Sequence, residues 1–415
     1  MSLKSKRGFY PLFCRKSLLE ILMAILLVSV GAEGAKPSSL TDKVIEQLDN
    51  HSRLAVKTIM SEDGDIIDCV DIYKQPAFDH PLLGDHTIEM RPSFIPAIKE
   101  GSNSRRFLPQ QTWQKKESCP EGTIPIQRIR ETYPMRIDQK KFGPNGEFSE
   151  CKVEMARVDV YNGGPYFGAQ ATFNVWNLHV EASEWSLNSI STYDPHYSFI
   201  EAGWAVSPVL FGDLSPRLFV NWLDRTKDVG CFNLRCPGFV HVSKSVMLGA
   251  VMPQVSAYGG EQVDYNFVTY KDPVQRKWWI LYEGEPVGYW PFALIEGFEE
   301  SAHISWGGSI CDMQVNGFHT TSQMGSGHFP MEGYGKASHI RDILVMDSNK
   351  NFVPPCCIQY FSSYEGCYKV DTCKSFPDDK GPCIYYGGTG GKCCDGRYHL
   401  TKHVRVLHVM SGYSD

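Results

Sequence analysis

From residue 156 onward the chain alternates short apolar–polar runs with clusters of Gly, Pro, Asn and Asp. The runs fall at 157–161, 169–180, 186–192, 199–206, 217–223, 239–241, 264–270, 277–282 and 303–306. A period of two without intervening helical periodicity predicts strands, and their close spacing predicts an antiparallel β-sandwich or barrel. Trp176, Trp204, Trp222, Trp278, Trp279, Trp290 and Trp306 lie in or beside these runs, as expected of core or cleft-wall residues.

The N-terminal third reads differently. Leu40, Val44, Ile45, Leu48 and Leu54 recur at helical spacing and predict one helix over 38–57, with Thr41 as its cap and Asn50 as a breaker. Two short strands follow, 57–60 and 64–73, around a Ser-Glu-Asp-Gly turn. Residues 74–81 are rich in breakers and predict extended chain. Two polar stretches, 100–116 and 136–152, lack periodicity and predict linker or accessible cleavage zones. The organisation expected is therefore a leader over 1–34, a small α+β pro-domain with linker over 35–155, a mainly β domain over 156–396, and a tail over 397–415.

The leader rests on a basic start (Lys4, Lys6, Arg7, Arg15, Lys16), an apolar core over 18–30 and small residues near 30–34. That apolar run is too short to span a bilayer comfortably, so a secreted protein without a membrane anchor is expected. Fourteen cysteines agree with an oxidising compartment. Cys231 and Cys236 close a short loop and form the first expected disulfide; Cys69 and Cys119 flank the N-terminal module, in position to bridge it. The group Cys356, Cys357, Cys367, Cys373, Cys383, Cys393 and Cys394 allows too many connectivities to assign. No CxxC pair with nearby His supplies zinc spacing, so no metal and no cofactor are expected. Asn50-His51-Ser52 is a glycosylation sequon. A net charge of −6 without a basic stripe argues against nucleic acid as a partner.

The candidate chemistry centres on Phe199-Ile200-Glu201-Ala202-Gly203-Trp204-Ala205-Val206. Glu201 shares a strand face with Phe199, Gly203 and Ala205. Two readings are open: a Glu on the outer face of a half-exposed strand, or a carboxyl buried among aromatics, where it must be paired or protonated and becomes a functional candidate.

Longer motifs carry a resemblance. Ile200-Glu201-Ala202-Gly203-Trp204, Phe211-Gly212-Asp213, the run from Gly230-Cys231-Phe232 to Cys236-Pro237-Gly238, Ser256-Ala257-Tyr258-Gly259-Gly260, Gly288-Tyr289-Trp290-Pro291, Trp306-Gly307-Gly308 and Gln323-Met324-Gly325-Ser326-Gly327-His328-Phe329 resemble the neprosin family, plant secreted glutamic peptidases that cleave after proline. Asp68-Cys69-Val70-Asp71-Ile72-Tyr73, the following run through Leu83, and Met90-Arg91-Pro92-Ser93 resemble that family's activation peptide. The resemblance implies an antiparallel β-sandwich catalytic domain, a zymogen whose own pro-domain inhibits it, and a proline-containing peptide or protein substrate. It implies an extracellular setting (cell wall or apoplast) and two catalytic glutamates working at acidic pH.

Glu201 matches the first glutamate by motif. The family's Trp-Gly-Gly-Glu is here Trp306-Gly307-Gly308-Ser309, so the second falls on Ser309, a hydroxyl that cannot exchange a proton as a carboxyl does. Trp204, Tyr258, Tyr289, Trp290 and Trp306 are the candidate substrate-binding residues. Compensating carboxylates would have to come from Asp312, Glu299, Glu300, Glu283 or Glu285. The expectation is an impaired endopeptidase; the alternative is a silent relative that binds proline-rich peptides or cell-wall glycoproteins through aromatics. A glycosidase or lectin is a third reading, since sandwiches with Trp platforms and paired carboxyls also handle sugars. Ser326 and His328, two apart in a Gly-rich turn, lack an orienting acid and read as a tight turn.

Overall fold

A computed structural model of the protein describes residues 54–97, 108–129, 151–295, 297–314, 319–374, 376–377 and 381–391. All of them lie in one compact unit, Val44–Asp415. The leader, the Asn50 sequon, most of the predicted helix and the tail lie outside the described residues. Lys57, assigned above to the end of that helix, lies instead in the first strand.

In chain order the strands are β1 (Ala55–Met60), β2 (Ile66–Asp71), β3 (Thr123–Gln127), β4 (Lys152–Val160), β5 (Gly168–Asn174), β6 (Ser186–Tyr193), β7 (Phe199–Val206), β8 (Arg217–Asp224), β9 (Val229–Phe232) and β10 (Val240–His241). There follow β11 (Asp264–Lys271), β12 (Trp278–Tyr282), β13 (Glu285–Trp290), β14 (His303–Asp312), β15 (Ser338–Met346), β16 (Phe352–Val353), β17 (Gln359–Ser362), β18 (Lys369–Thr372) and β19 (Ile384–Gly387). One helical turn, α1 (Pro208–Phe211), follows β7.

Two large antiparallel sheets pack face to face. One has seven strands in the order β17-β4-β14-β6-β7-β8-β9; the other has nine, in the order β10-β13-β12-β11-β5-β15-β19-β18, with β16 beside β15. Alternation supplies the layer between them. On β7, Ile200, Ala202, Trp204 and Val206 are buried in the main core, which also takes Phe267 and Ile280 from the opposite sheet. Thr192 of β6 meets Thr269 of β11 across the layer at 3.3 Å, which marks the inner face of both sheets. Trp204, Trp290 and Trp306 are fully buried in this core. The structure therefore places them away from the outer face, where a substrate could reach, and the expectation that they line a substrate site is corrected.

The N-terminal module forms a separate three-stranded sheet, β1-β2-β3. Residues 74–81, expected to be extended, instead belong to successive 3₁₀ turns, Ile72–Lys74, Pro76–Asp79 and Pro81–Leu83, with a proline at the head of the last two. Asp71 and His80 each accept a capping bond there, from the amides of Tyr73 and Leu82. The boundary drawn at 155/156 cuts through β4, which belongs to the seven-stranded sheet and is tied to it by a Cys151–Cys311 disulfide. Cys69–Cys119 and Cys231–Cys236 are bonded as expected, and Cys373–Cys383 joins β18 to β19. Cys356 and Cys357 are exposed free thiols.

Candidate active site

The outer face of the seven-stranded sheet holds a cleft of about 270 Å3, and Glu201 lies on its floor. Gly307 lines the cleft, and Gly203 lies in the same row on the same face. Gly203 and Gly307 flank Ser189 from either side, in the register Gly203–Ser189–Gly307–Arg157. A Cβ on Gly203 would come within 2.0 Å of the Asn188 carbonyl, and one on Gly307 within 2.4 Å of the Arg157 Cβ. Both strands approach their neighbours closely only because these positions carry no side chain, which leaves a bare strip across the sheet.

Glu201 is only 8% exposed. Ser189 and Ser191 donate hydrogen bonds to its Oε1, at 2.6 and 2.9 Å, and the Asn221 amide donates to Oε2 at 3.4 Å. Burial pushes the carboxyl above the ordinary glutamate range; the three donors and the Arg157 charge pull the other way without cancelling it. The outcome is a carboxyl that holds its proton into milder acid than a surface glutamate.

The register of β7, β6 and β14 decides what stands opposite. Glu201 pairs with Ser191, and Ser191 pairs with Ser305. Ser305 is thus on the same face and in the same row, two strand spacings away, roughly 10 Å between Cα atoms. Its Oγ is buried, with the Tyr193 hydroxyl as a neighbour. Ser309 also lines the cleft, but it pairs with Leu187. It therefore lies four residues further along β14, about 13 Å from the Glu201 row. The position facing Glu201 is Ser305, which corrects the expectation that Ser309 stands there. Both are hydroxyls, so neither supplies a second carboxyl.

A second group of side chains closes the cleft at its other end. His303 is stacked between Tyr161 and Tyr193, with ring centroids 4.1 and 4.5 Å away. Its Nε2 meets Asp159 Oδ1 at 2.8 Å, and Asp159 in turn pairs with Arg157 at 3.1 Å. Burial alone would lower the Arg157 guanidinium, but Tyr193, Asp159 and Tyr161 outweigh it and hold the group above its ordinary value. Arg157, His303, Ser189, Ser191, Asn221 and Ser305 were not singled out in the sequence. Alternating polar residues at 157 and 159, and again at 189 and 191, were the signal available: two polar side chains on one face of a strand that is otherwise buried.

The remaining sequence candidates lie elsewhere. Tyr258 is half exposed on a loop and donates to Glu332. Tyr289 is buried beneath the N-terminal module. Asp312 sits on the inner side, 3.8 Å from His319. Glu299 pairs with Lys271 and Arg276, Glu283 accepts from the Asn266 amide, and Glu285 and Glu300 are exposed. None of these carboxylates lines the cleft, where Glu201 is the one acidic side chain among the described residues. Glu154, His319 and Cys367 bring possible metal-ligand atoms within 4.8 Å, but Cys367 is held in a disulfide and has no thiolate to offer.

The family model for Neprosin matches residues 181–389, and that for the Neprosin activation peptide matches residues 58–166. The chain belongs to the neprosin family. The neprosin match begins before β6 and ends just after β19, so it takes in the Glu201 floor and Ser305. The activation-peptide match runs past the N-terminal module and through all of β4, which carries Arg157. Among solved structures the chain is similar to scytalido-glutamic peptidase bound to a peptide-based transition-state analogue, at 11% identity over 57% of this chain and 98% of that one, with a TM-score of 0.32. It is also similar to SCP-B, a member of the Eqolisin family of peptidases, in complex with the tripeptide Ala-Ile-His, at 11% identity over 57% of this chain and 98% of that one (TM-score 0.30). The agglutinin CG-16 from chicken liver matches 37% of this chain and 93% of its own at 8% identity, with a TM-score of 0.23. No residue assignment follows from similarities of this size.

Proposed function

We propose that this neprosin-family protein is a secreted zymogen whose Glu201 cleft binds extended, proline-containing peptides and hydrolyses them slowly at acidic pH. The observation that carries this reading is Glu201 on the cleft floor, the one carboxyl there among the described residues, faced in register by Ser305. One buried carboxyl can take a proton from an attacking water and later hand it to the departing amine, but it cannot do both at once. A second carboxyl would hold the other proton ready; without it the site loses roughly the 10²–10⁴-fold that a positioned acid or base contributes. The Ser189 and Ser191 hydroxyls hold Glu201 through its Oε1, and Tyr161, Tyr193 and Tyr197 offer rings against which a PPII segment could lie. Paired cysteines at both sheets and in the N-terminal module support a route through an oxidising compartment. No described helix is long and apolar enough to cross a membrane.

The test is cleavage of a proline-rich peptide by the purified protein between pH 3 and 7, before and after release of the activation peptide. Slow turnover that disappears in Glu201→Gln is expected. Robust turnover that survives Glu201→Gln would sink the reading. Peptide binding with no turnover at any pH would leave a binding protein rather than an enzyme.

A further inference from the structure

The activation-peptide strap, residues 84–97, crosses the outer face of the nine-stranded sheet, on the opposite side of the sandwich from the Glu201 cleft. Beneath it, Tyr270, Trp279 and Tyr289 form one row across β11, β12 and β13. They share the face turned away from the inner residues Thr269 and Ile280, yet all three are fully buried. Three large aromatic side chains on an outer face are buried only while something lies over them.

The strap is held mainly through its main chain. The Glu89 amide donates to the Tyr289 hydroxyl at 3.1 Å, and Gln275 donates to the Arg91 carbonyl at 3.1 Å. The amides of Ser93 and Phe94 both donate to Asp272 Oδ2, at 2.6 and 3.3 Å, and the Tyr270 hydroxyl donates to the Phe94 carbonyl at 2.6 Å. Pro92 falls between these contacts, where no amide donor is required. Side-chain selectivity is narrow. Ser93 Oγ donates to Asp272 Oδ1 at 2.6 Å, and the Phe94 ring meets Tyr270 edge-on at 6.4 Å. At the other end Lys277 pairs with Glu89 at 3.4 Å, and His86 meets the Tyr289 hydroxyl at 2.8 Å.

A surface that reads five main-chain groups of an extended segment recognises polypeptide in general, with a hydroxyl and a ring as its specificity elements. We propose that, once the activation peptide leaves, this face is a second peptide-binding site that takes an extended Pro-(Ser/Thr)-aromatic segment of another polypeptide. The site would hold a protein partner or a long substrate by a stretch remote from Glu201. It does not depend on the chemistry of the cleft, so an inactive cleft leaves it untouched.

The strap can be unseated in the full chain by Ser93→Asp, which sets a second carboxylate against Asp272, or by the double change Ser93→Ala, Phe94→Ala, which adds no charge. Three fluorescein-labelled peptides serve as probes in anisotropy titrations: the strap's own residues 86–97, an alanine-based peptide keeping only Pro-Ser-Phe, and that second peptide with its Ser replaced by Asp. Expected is binding of the first two at least tenfold tighter to either variant than to the unaltered chain, and no such gain for the third. Equal binding to altered and unaltered chains, or equal binding of the second and third peptides, overturns the proposal. Binding of the strap peptide alone makes the face a seat for the activation peptide only, which also overturns it.

Discussion

Ser305 stands in register with Glu201, with Ser191 between them, at the point in the cleft where a second proton-transferring group would face the first. Its hydroxyl is buried beside Tyr193. Ser305→Glu should place a carboxyl across from Glu201, with Ser191 and the cleft solvent available to both. Cleavage of a proline-containing peptide at acidic pH should then rise by about 10²-fold or more, within the range of a positioned acid or base. Ser309→Glu, further along β14, should give a much smaller gain. Initial rates for the two variants side by side make the comparison, and equal rates would refute the register argument.

Glu201 links the cleft to stability as well as to chemistry. Its folded-state carboxyl holds a proton more tightly than the unfolded one because burial disfavours the charge. The favourable contribution is therefore complete below the unfolded value and is lost as pH rises through the raised folded value. Glu201→Gln removes that loss. The variant should melt at nearly the wild-type temperature near pH 4 and above it, on the order of a few °C, near pH 7. Thermal melts across that interval test the sign; a gap that is larger in acid contradicts it.

Asp65 of the N-terminal module reaches Arg217 of β8 at 2.6 Å, and Arg217 is only 1% exposed. Arg217 also pairs with Asp213 and donates to the Gly249 carbonyl, so the ion pair fastens the module to the edge of the cleft-bearing sheet. Asp65→Asn withdraws one of two charges from a buried cation. The expected loss is up to about 3 kcal/mol, at the lower end of what breaking a buried pair costs. It should show as a lower melting temperature and as faster proteolysis between residues 54 and 129. Unchanged proteolysis with an unchanged melt would mean the module is held without this pair.

His241 gives a separate acid response. It is buried beneath Gln75, whose side chain bonds both the amide and the carbonyl of His241, and burial lowers its imidazole to about 4. A depressed value means stability that is present above the ordinary histidine range and lost as pH falls from about 6.5 toward the folded value. His241→Leu should therefore be less sensitive than wild type to acid between pH 6 and 4, in the melt and in release of the N-terminal module. An identical pH dependence in both proteins would exclude this residue as a source of acid sensitivity.

Much of the architecture was legible in the chain because a period of two is a local property. The runs at 186–192, 199–206 and 217–223 became β6, β7 and β8, and the alternation within Phe199–Val206 assigned Glu201 to the face opposite Ile200, Ala202 and Trp204. The motifs around Glu201 and along 68–83 sufficed to suggest the family, and the loop-closing pair Cys231–Cys236 was visible from its spacing. Local pattern could not say which strand lies beside which. β14 joins β6 across more than a hundred residues, and that pairing alone makes Ser305, rather than Ser309, the residue facing Glu201. The same is true of the tryptophans, which alternation could put on a face but not assign to core or cleft, and of the Tyr270–Trp279–Tyr289 row. Such relationships depend on register between distant strands and on which sheet face meets the other, and those are settled only when the two layers close on one another.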